Sequence, residues 1–267
     1  MEIYLIFYKI IMWRGPVVAK RRDAVNAIKG KVFSIHAKLI AIAASKWWNP
    51  DDNPSLFAEI HKAKKAWVPN DTIDRAIKKW TWEDKDAAAI TEIIYEGYAS
   101  GWVSVMVQAL TDSKNRTVAS IRHIFDKFWW NMWESGAVSW MFHRKGVIFI
   151  NPENHSADEI EELVYETNAE DFIAEDSYIK IITSVEDYGE VEKFFEEKNI
   201  TIMESKLDFV PDNDTEITEF DKALKFTKMI EAFNDDEDVA QVSTNEIISP
   251  ELQKEVDDFI EKNTFRT

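Results

Sequence analysis

Between residues 23 and 46, Ile28, Val32, Ile35, Leu39 and Ile42 recur at spacings of four and three, which predicts a long helix with one apolar stripe. Lys29, Lys31 and Lys38 lie off that stripe, and Lys20, Arg21 and Arg22 precede it. Residues 47–53 break the period with Asn, Asp and Pro. Asn53-Pro54 suits a helix start, with Asn as cap and Pro in the first turn. Leu56, Ile60, Ala63 and Ala66 then mark a second amphipathic helix. Pro69-Asn70-Asp71 opens a third, with Ile73, Ala76 and Ile77 inward and Arg75, Lys78 and Lys79 outside. Together these predict a three-helix N-terminal domain, followed by a linker at Glu83–Ala89.

From Thr91 the period changes. Ile93, Ile94 and Tyr95 read as a strand and Gly97–Gly101 as a turn; then Val103, Val105 and Val107 alternate with Ser104, Met106 and Gln108. Thr111-Asp112-Ser113 opens a helix through Phe128, and either Asp112 or Ser113 can cap it. Ala137–Phe142 and Val147–Ile150 are expected strands on either side of Arg144-Lys145-Gly146. Helices at 156–166, 187–198 and 217–233 then alternate with strands at 178–183, 200–210 and 239–243. Residues 250–267 read as an exposed, partly helical acidic tail. Helices on one face of mixed, mostly antiparallel sheets make this an α+β chain.

Charge divides the chain sharply. Residues 13–82 carry 14 Lys+Arg against 6 Asp+Glu, a net +8, whereas residues 151–267 carry 10 against 34, a net −24. The first eighty residues therefore suit a polyanion, and the second half would be repelled by one. Lys20, Arg21, Arg22, Lys29 and Lys31 form one cationic cluster. Lys62, Lys64, Lys65, Arg75, Lys78 and Lys79 form another. Such side chains neutralise phosphates whatever the base sequence; as a plain alternative, they are a solvated helix face. No groove-reading helix with its set of base-contacting side chains is visible, so sequence specificity is not expected.

Other chemistry finds little footing. The chain has no cysteine, which excludes a disulfide scaffold and thiol catalysis. His36, His61, His123, His143 and His155 lack metal-ligand spacing. Neither a nucleophile elbow nor a phosphate-binding glycine loop occurs. Asp235-Asp236-Glu237-Asp238 reads as a solvated acidic turn. No cofactor, metal, small-molecule substrate or membrane partner is indicated. The apolar residues 1–11 are too short to span a bilayer, and residues 1–12 read as an extension ahead of the native start.

The tryptophans are placed unusually. Trp47-Trp48, Trp80-Thr81-Trp82, Gly101-Trp102 and Trp129-Trp130 sit at turns and helix ends, where glycine is favoured, while glycine itself is only 7 of 267 residues. With tryptophan read as glycine, four stretches resemble the YebC/PmpR family. They are MWRGPVVAKRRDAVNAIKGKVFS (12–34), NPDDNPSLFAEIHKAKKAWVPNDTIDRAIKKWTW (49–82), YEGYASGWVSVMVQALTDSKNRT (95–117) and FWWNMWESGAVSWMFHRKGV (128–147). The chain departs from the family pattern at Trp13, Trp47, Trp48, Trp67, Trp80, Trp82, Trp102, Trp129, Trp130 and Trp133. Position 67 is the loosest of these, because relatives also place Asn there; Trp140 sits where the family accepts an aromatic. We expect the ten to be UGA codons read as glycine. The alternative is a real run of aromatic substitutions, for example a surface on which bases stack.

The resemblance implies a cytoplasmic, non-enzymatic, nucleic-acid-associated protein. The expected functions are a DNA-binding transcriptional regulator or a translation factor that binds ribosomal RNA and relieves stalling, with an enzyme of unrecognised site kept as the alternative class. The resemblance implies a third domain inserted in the second: a basic helical domain at 13–82, a middle domain at 83–145 plus 206–247, an insert at 146–205 and a tail at 248–267. Thr111–Thr117 matches the family's TDxxNRT, which adds Asn115 and Arg116 as candidate partner contacts; capping alone is the other reading. Tyr95–Trp102 matches the family's glycine loop, but here a hairpin turn explains it better.

Overall fold

The computed structural model describes residues 21–78, 89–128, 132–133, 136–151, 155–174 and 178–264, with side chains except at 21–28, 132–133 and 264. The N-terminal extension, Lys20, Lys79, the linker at 83–88, and Trp13, Trp80, Trp82, Trp129 and Trp130 lie outside those residues. The fold is α+β and divides into two compact units. Among the described residues, one comprises 139–214 with 243–245; the other comprises 21–138, 215–242 and 246–264.

The larger unit begins with helices α1 (Arg21–Lys46), α2 (Pro54–Lys65) and α3 (Asn70–Lys78). Asn53 caps α2 as its position suggests, its side chain accepting from Leu56 N–H at 3.1 Å. The core of the bundle joins Phe33, Ala37, Ile40 and Ala44 of α1 to Leu56, Ala63, Val68 and Ile73. This is not the stripe read from the sequence. Val32, Ile35, Leu39 and Ile42 are only half-buried, because α1 is apolar on two sides and its alanines admit α2 and α3 more closely. α2 ends on two bonds, Trp67 N–H to the Lys64 carbonyl (3.0 Å) and Val68 N–H to the Ala63 carbonyl (2.9 Å). That closure needs a left-handed residue, and Trp67 has φ 60°.

A sheet follows in the order β3-β1-β2-β9, from β1 (Thr91–Ala99), β2 (Val103–Thr111), β3 (Met132–Trp133) and β9 (Val239–Thr244). β1 and β2 form a hairpin with Ala99 opposite Val103, and its turn holds Gly101 at φ 81° and Trp102 at φ 66°. Helices α4 (Lys114–Lys127), α7 (Phe220–Asp235) and α8 (Pro250–Thr264) supply the rest of this core. Val103, Val105 and Val107 meet Ile121, Phe125, Phe226, Phe233 and Val256. The rings of Phe125 and Phe233 meet edge-on at 5.0 Å. The expected exposed tail is thus a packed helix: Leu252, Val256 and Ile260 recur every four residues among the acids and turn inward.

The smaller unit is a four-stranded antiparallel sheet in the order β5-β6-β4-β7. Its strands are β4 (Phe142–Ile150), β5 (Ala169–Ala174), β6 (Ile179–Thr183) and β7 (Ile202–Pro211). Helices α5 (Ala157–Val164) and α6 (Tyr188–Glu197) complete it. Ile148, Ile150, Ile179 and Ile181 pack against Ile160, Val164, Val191 and Phe195. The sequence suggested a break at Arg144-Lys145-Gly146, but β4 runs straight through and pairs with β7 from Phe142 to Ile150. Gly146 serves close approach instead of a turn: a Cβ there would collide with Thr183 and Tyr188. Two short parallel strands, β8 (Thr215–Glu216) and β10 (Glu246–Ile247), complete the larger unit. Among the described residues no helix is long and apolar enough to cross a membrane.

Candidate nucleic-acid interface

The second cationic cluster lies on α2 and α3. Lys62, Lys64 and Lys65 fill the last turn of α2, where cations meet the negative end of the helix dipole. Lys64 and Lys65 are exposed, while Lys62 is half-buried and pairs with Glu59 at 3.6 Å. Arg75 and Lys78 stand exposed on α3, Arg75 paired with Asp71 at 2.9 Å. Of the first cluster, Arg21 and Arg22 belong to α1, and Lys29 is half-buried.

Lys31 is turned inward. Its ammonium donates to the carbonyls of Asn234 (2.6 Å) and Asp236 (3.0 Å). Burial pulls its pKa down to about 8, against the opposing pull of Asp236 and Asp235. Lys38 joins it there, donating to the Glu237 carbonyl at 2.8 Å and to Asp238 at 3.1 Å. His36, also on α1, is held below the ordinary imidazole range by burial and by Lys62.

The TDSKNRT segment has a structural occupation. Ser113 stands at the cap position of α4 without a side-chain capping bond, and Asp112 pairs with Arg116 at 3.0 Å. Thr111 Oγ1 accepts from Ser113 N–H at 2.9 Å instead. Arg116 forks onto Asp238, with Nη2 2.9 Å and Nε 3.2 Å from Oδ2. Thr117 Oγ1 lies 2.8 Å from the same oxygen. Asp238 is therefore no solvated turn residue; it is buried at the meeting point of α1, α4 and β2. Burial pushes its carboxyl up, but the bonds from Arg116, Thr117 and Lys38 outweigh this and hold it below the ordinary range. Asn115 is exposed beside this network.

A second tie joins two of the sequence motifs. Glu96 is buried, its carboxylate accepting from Gly136 N–H and Val138 N–H, each at 2.8 Å. Tyr98 donates to the Ala137 carbonyl at 3.3 Å, and β3 pairs with β1 at Glu96 and Gly97. The Tyr95–Trp102 segment thus anchors the chain at 132–133 and at 136–138. Among the described residues no cluster of three or more acidic or histidine side chains is placed to hold a metal.

Residues 16–83 match the model for the TACO1/YebC protein N-terminal domain, and residues 90–246 match that for the TACO1/YebC second and third domain. The chain belongs to the TACO1/YebC family. A TACO1/YebC relative from Maridesulfovibrio salexigens, named "Probable transcriptional regulatory protein", is 41% identical over 90% of this chain and 96% of its own. Another of that name, from Finegoldia magna, is 38% identical over 85% of this chain and 95% of its own. The crystal structure of a conserved hypothetical protein from Aquifex aeolicus superposes with a TM-score of 0.75 at 36% identity, covering 88% of this chain and 93% of that one.

Proposed function

We propose that this chain is a DNA-binding transcriptional regulator that contacts phosphates through its helical domain. The carrying observation is that Lys64, Lys65, Arg75 and Lys78 are exposed on α2 and α3. Its setting is a domain of net positive charge on an otherwise acidic chain. The names of the relatives favour transcription. Lys31 and Arg116 contribute less than their sequence positions suggested, since carbonyls and carboxylates already engage them. Catalysis plays no part in this reading, and the protein works in the cytoplasm.

A second reading has the same domain grip ribosomal RNA as a translation factor. The net −24 over residues 151–267 favours it, because an acidic half can point into solvent from a ribosome more easily than beside bare duplex. The test is binding of duplex DNA and co-sedimentation with ribosomes, each for wild type and for Lys64→Glu/Lys65→Glu/Lys78→Glu. Phosphate contact predicts that the variant's log–log salt slope falls by about 3 units relative to wild type. Equal affinity of the two proteins for both targets would remove the helical domain from the interface. Retention on ribosomes against competing DNA would select the second reading.

A further inference from the structure

Lys31 and Lys38 are seven residues apart on α1, two helical turns, so they project from one side of it. Both reach the same short segment, the end of α7 and the turn after it. Lys31 serves the carbonyls of Asn234 and Asp236, and Lys38 those of Glu237 and the Asp238 carboxylate. The last carbonyls of a helix carry its partial negative charge and lack partners within it. Lys31 satisfies one of them, that of Asn234, and the two ammonium groups share the oxygens of the turn beyond it.

The other side of this turn is fixed to the sheet domain. Leu110 N–H donates to the Asp238 carbonyl at 2.8 Å, Arg116 and Thr117 hold its carboxylate, and Ser120 bonds Asp236. A firmly seated anionic turn thus presents oxygens to two lysines of the helical domain. A phosphate backbone would offer those lysines the same chemistry.

We propose that the turn at 234–238 and the pair Lys31/Lys38 form an ionic latch between the helical domain and the sheet domain, which a polyanion binding α1 opens. The opening step rests on the reading of the helical domain as a nucleic-acid surface; the latch itself does not. A ligand shifts such an equilibrium only if it binds one state better. The open state gives the ligand two more cations, and each phosphate neutralised releases counterions. The closed state carries its own cost, because Lys31 keeps its charge while half-buried.

The experiment uses the full chain. Because it contains no cysteine, Ser45→Cys on α1 and Lys225→Cys on α7, both exposed, accept a donor and an acceptor dye. In low salt the latch predicts a single population of high transfer efficiency. Molar potassium chloride should lower that efficiency, and so should Lys31→Gln/Lys38→Gln, whereas Lys31→Arg/Lys38→Arg should keep it high. A short DNA duplex should move the wild type toward the glutamine variant's value. Unchanged efficiency in high salt overturns the latch even if the glutamine variant fails to fold. A glutamine variant that folds and matches the wild type also overturns it. If duplex binds, by anisotropy, without changing efficiency, the opening step is wrong. If duplex does not bind at all, the nucleic-acid reading fails with that step, and the salt and variant arms alone decide the latch.

Discussion

Replacing Trp67 by glycine and by alanine separates the backbone cost at the end of α2 from everything the indole does. Residue 67 must be left-handed for the two closing bonds to form, and it has φ 60°. A residue with a Cβ costs about 1–2 kcal/mol in that region. Glycine escapes the cost but gives the unfolded chain about 0.4–1 kcal/mol more entropy than alanine does. Both variants lose the indole, which is 74% exposed, so its contribution cancels between them. Trp67→Gly should therefore exceed Trp67→Ala by roughly 0.5–1 kcal/mol, or about 1–4 °C in melting temperature. At exposed Ala58, inside α2, the ordinary preference applies, and Ala58→Gly should lose about 1 kcal/mol. Thermal and urea unfolding by circular dichroism measures all three, with hydrogen exchange at 66–68 as a local check. An alanine variant at 67 as stable as the glycine variant would refute the argument.

The hairpin turn makes the same claim: Trp102→Gly should be more stable than Trp102→Ala by a similar margin, read from the same melts. If the glycine reading of the ten positions holds, the gene carries UGA at each of them, and a single UGG would count against it. Lys31 has a folded pKa of about 8 against an ordinary 10.5, so the unfolded chain holds that proton more tightly. Stability should then rise as pH climbs from about 8 to about 10.5; Lys31→Met should lose this rise, and urea midpoints across the window would show it. Asp238→Ala leaves Lys38 and Thr117 without their carboxylate, while Arg116 keeps Asp112, and should cost about 2 kcal/mol. Glu96→Gln replaces one acceptor with a donor facing an amide, so exchange at Gly136 and Val138 should accelerate with a loss of about 2 kcal/mol.

Elements announced by local chemistry were legible. Asn53-Pro54 marks the start of α2, and the alternation Val103, Val105, Val107 marks a strand, because cap and period act within a few residues. The site was harder to read. Asp238 sits in a run of four acids that resembles any solvated turn, and its partners Lys38, Arg116 and Thr117 lie more than a hundred residues away. β5 gives no such signal, because Ala-Glu-Asp-Phe-Ile-Ala groups its acids together and its apolar residues together, leaving an edge strand no alternation to read. Gly146 shows the converse error: the residue that most often marks a turn here marks a place where a threonine and a tyrosine crowd the backbone. The stripe on α1 misled because large side chains outweigh alanine in any hydropathy pattern, whereas close helix contact prefers alanine.

The core of the larger unit draws on two distant stretches of chain, Ala99–Phe125 and Ile217–Val256. During synthesis the early strands must therefore wait. Ser139–Asp214 contains nearly all of the smaller unit, so it can fold while the first sheet still lacks α7, β9 and α8. A nascent chain paused after Asp214 would carry a largely folded insert between an exposed β-hairpin and nothing to cover it. The dangerous interval for aggregation or chaperone capture lies in the translation of the last fifty residues.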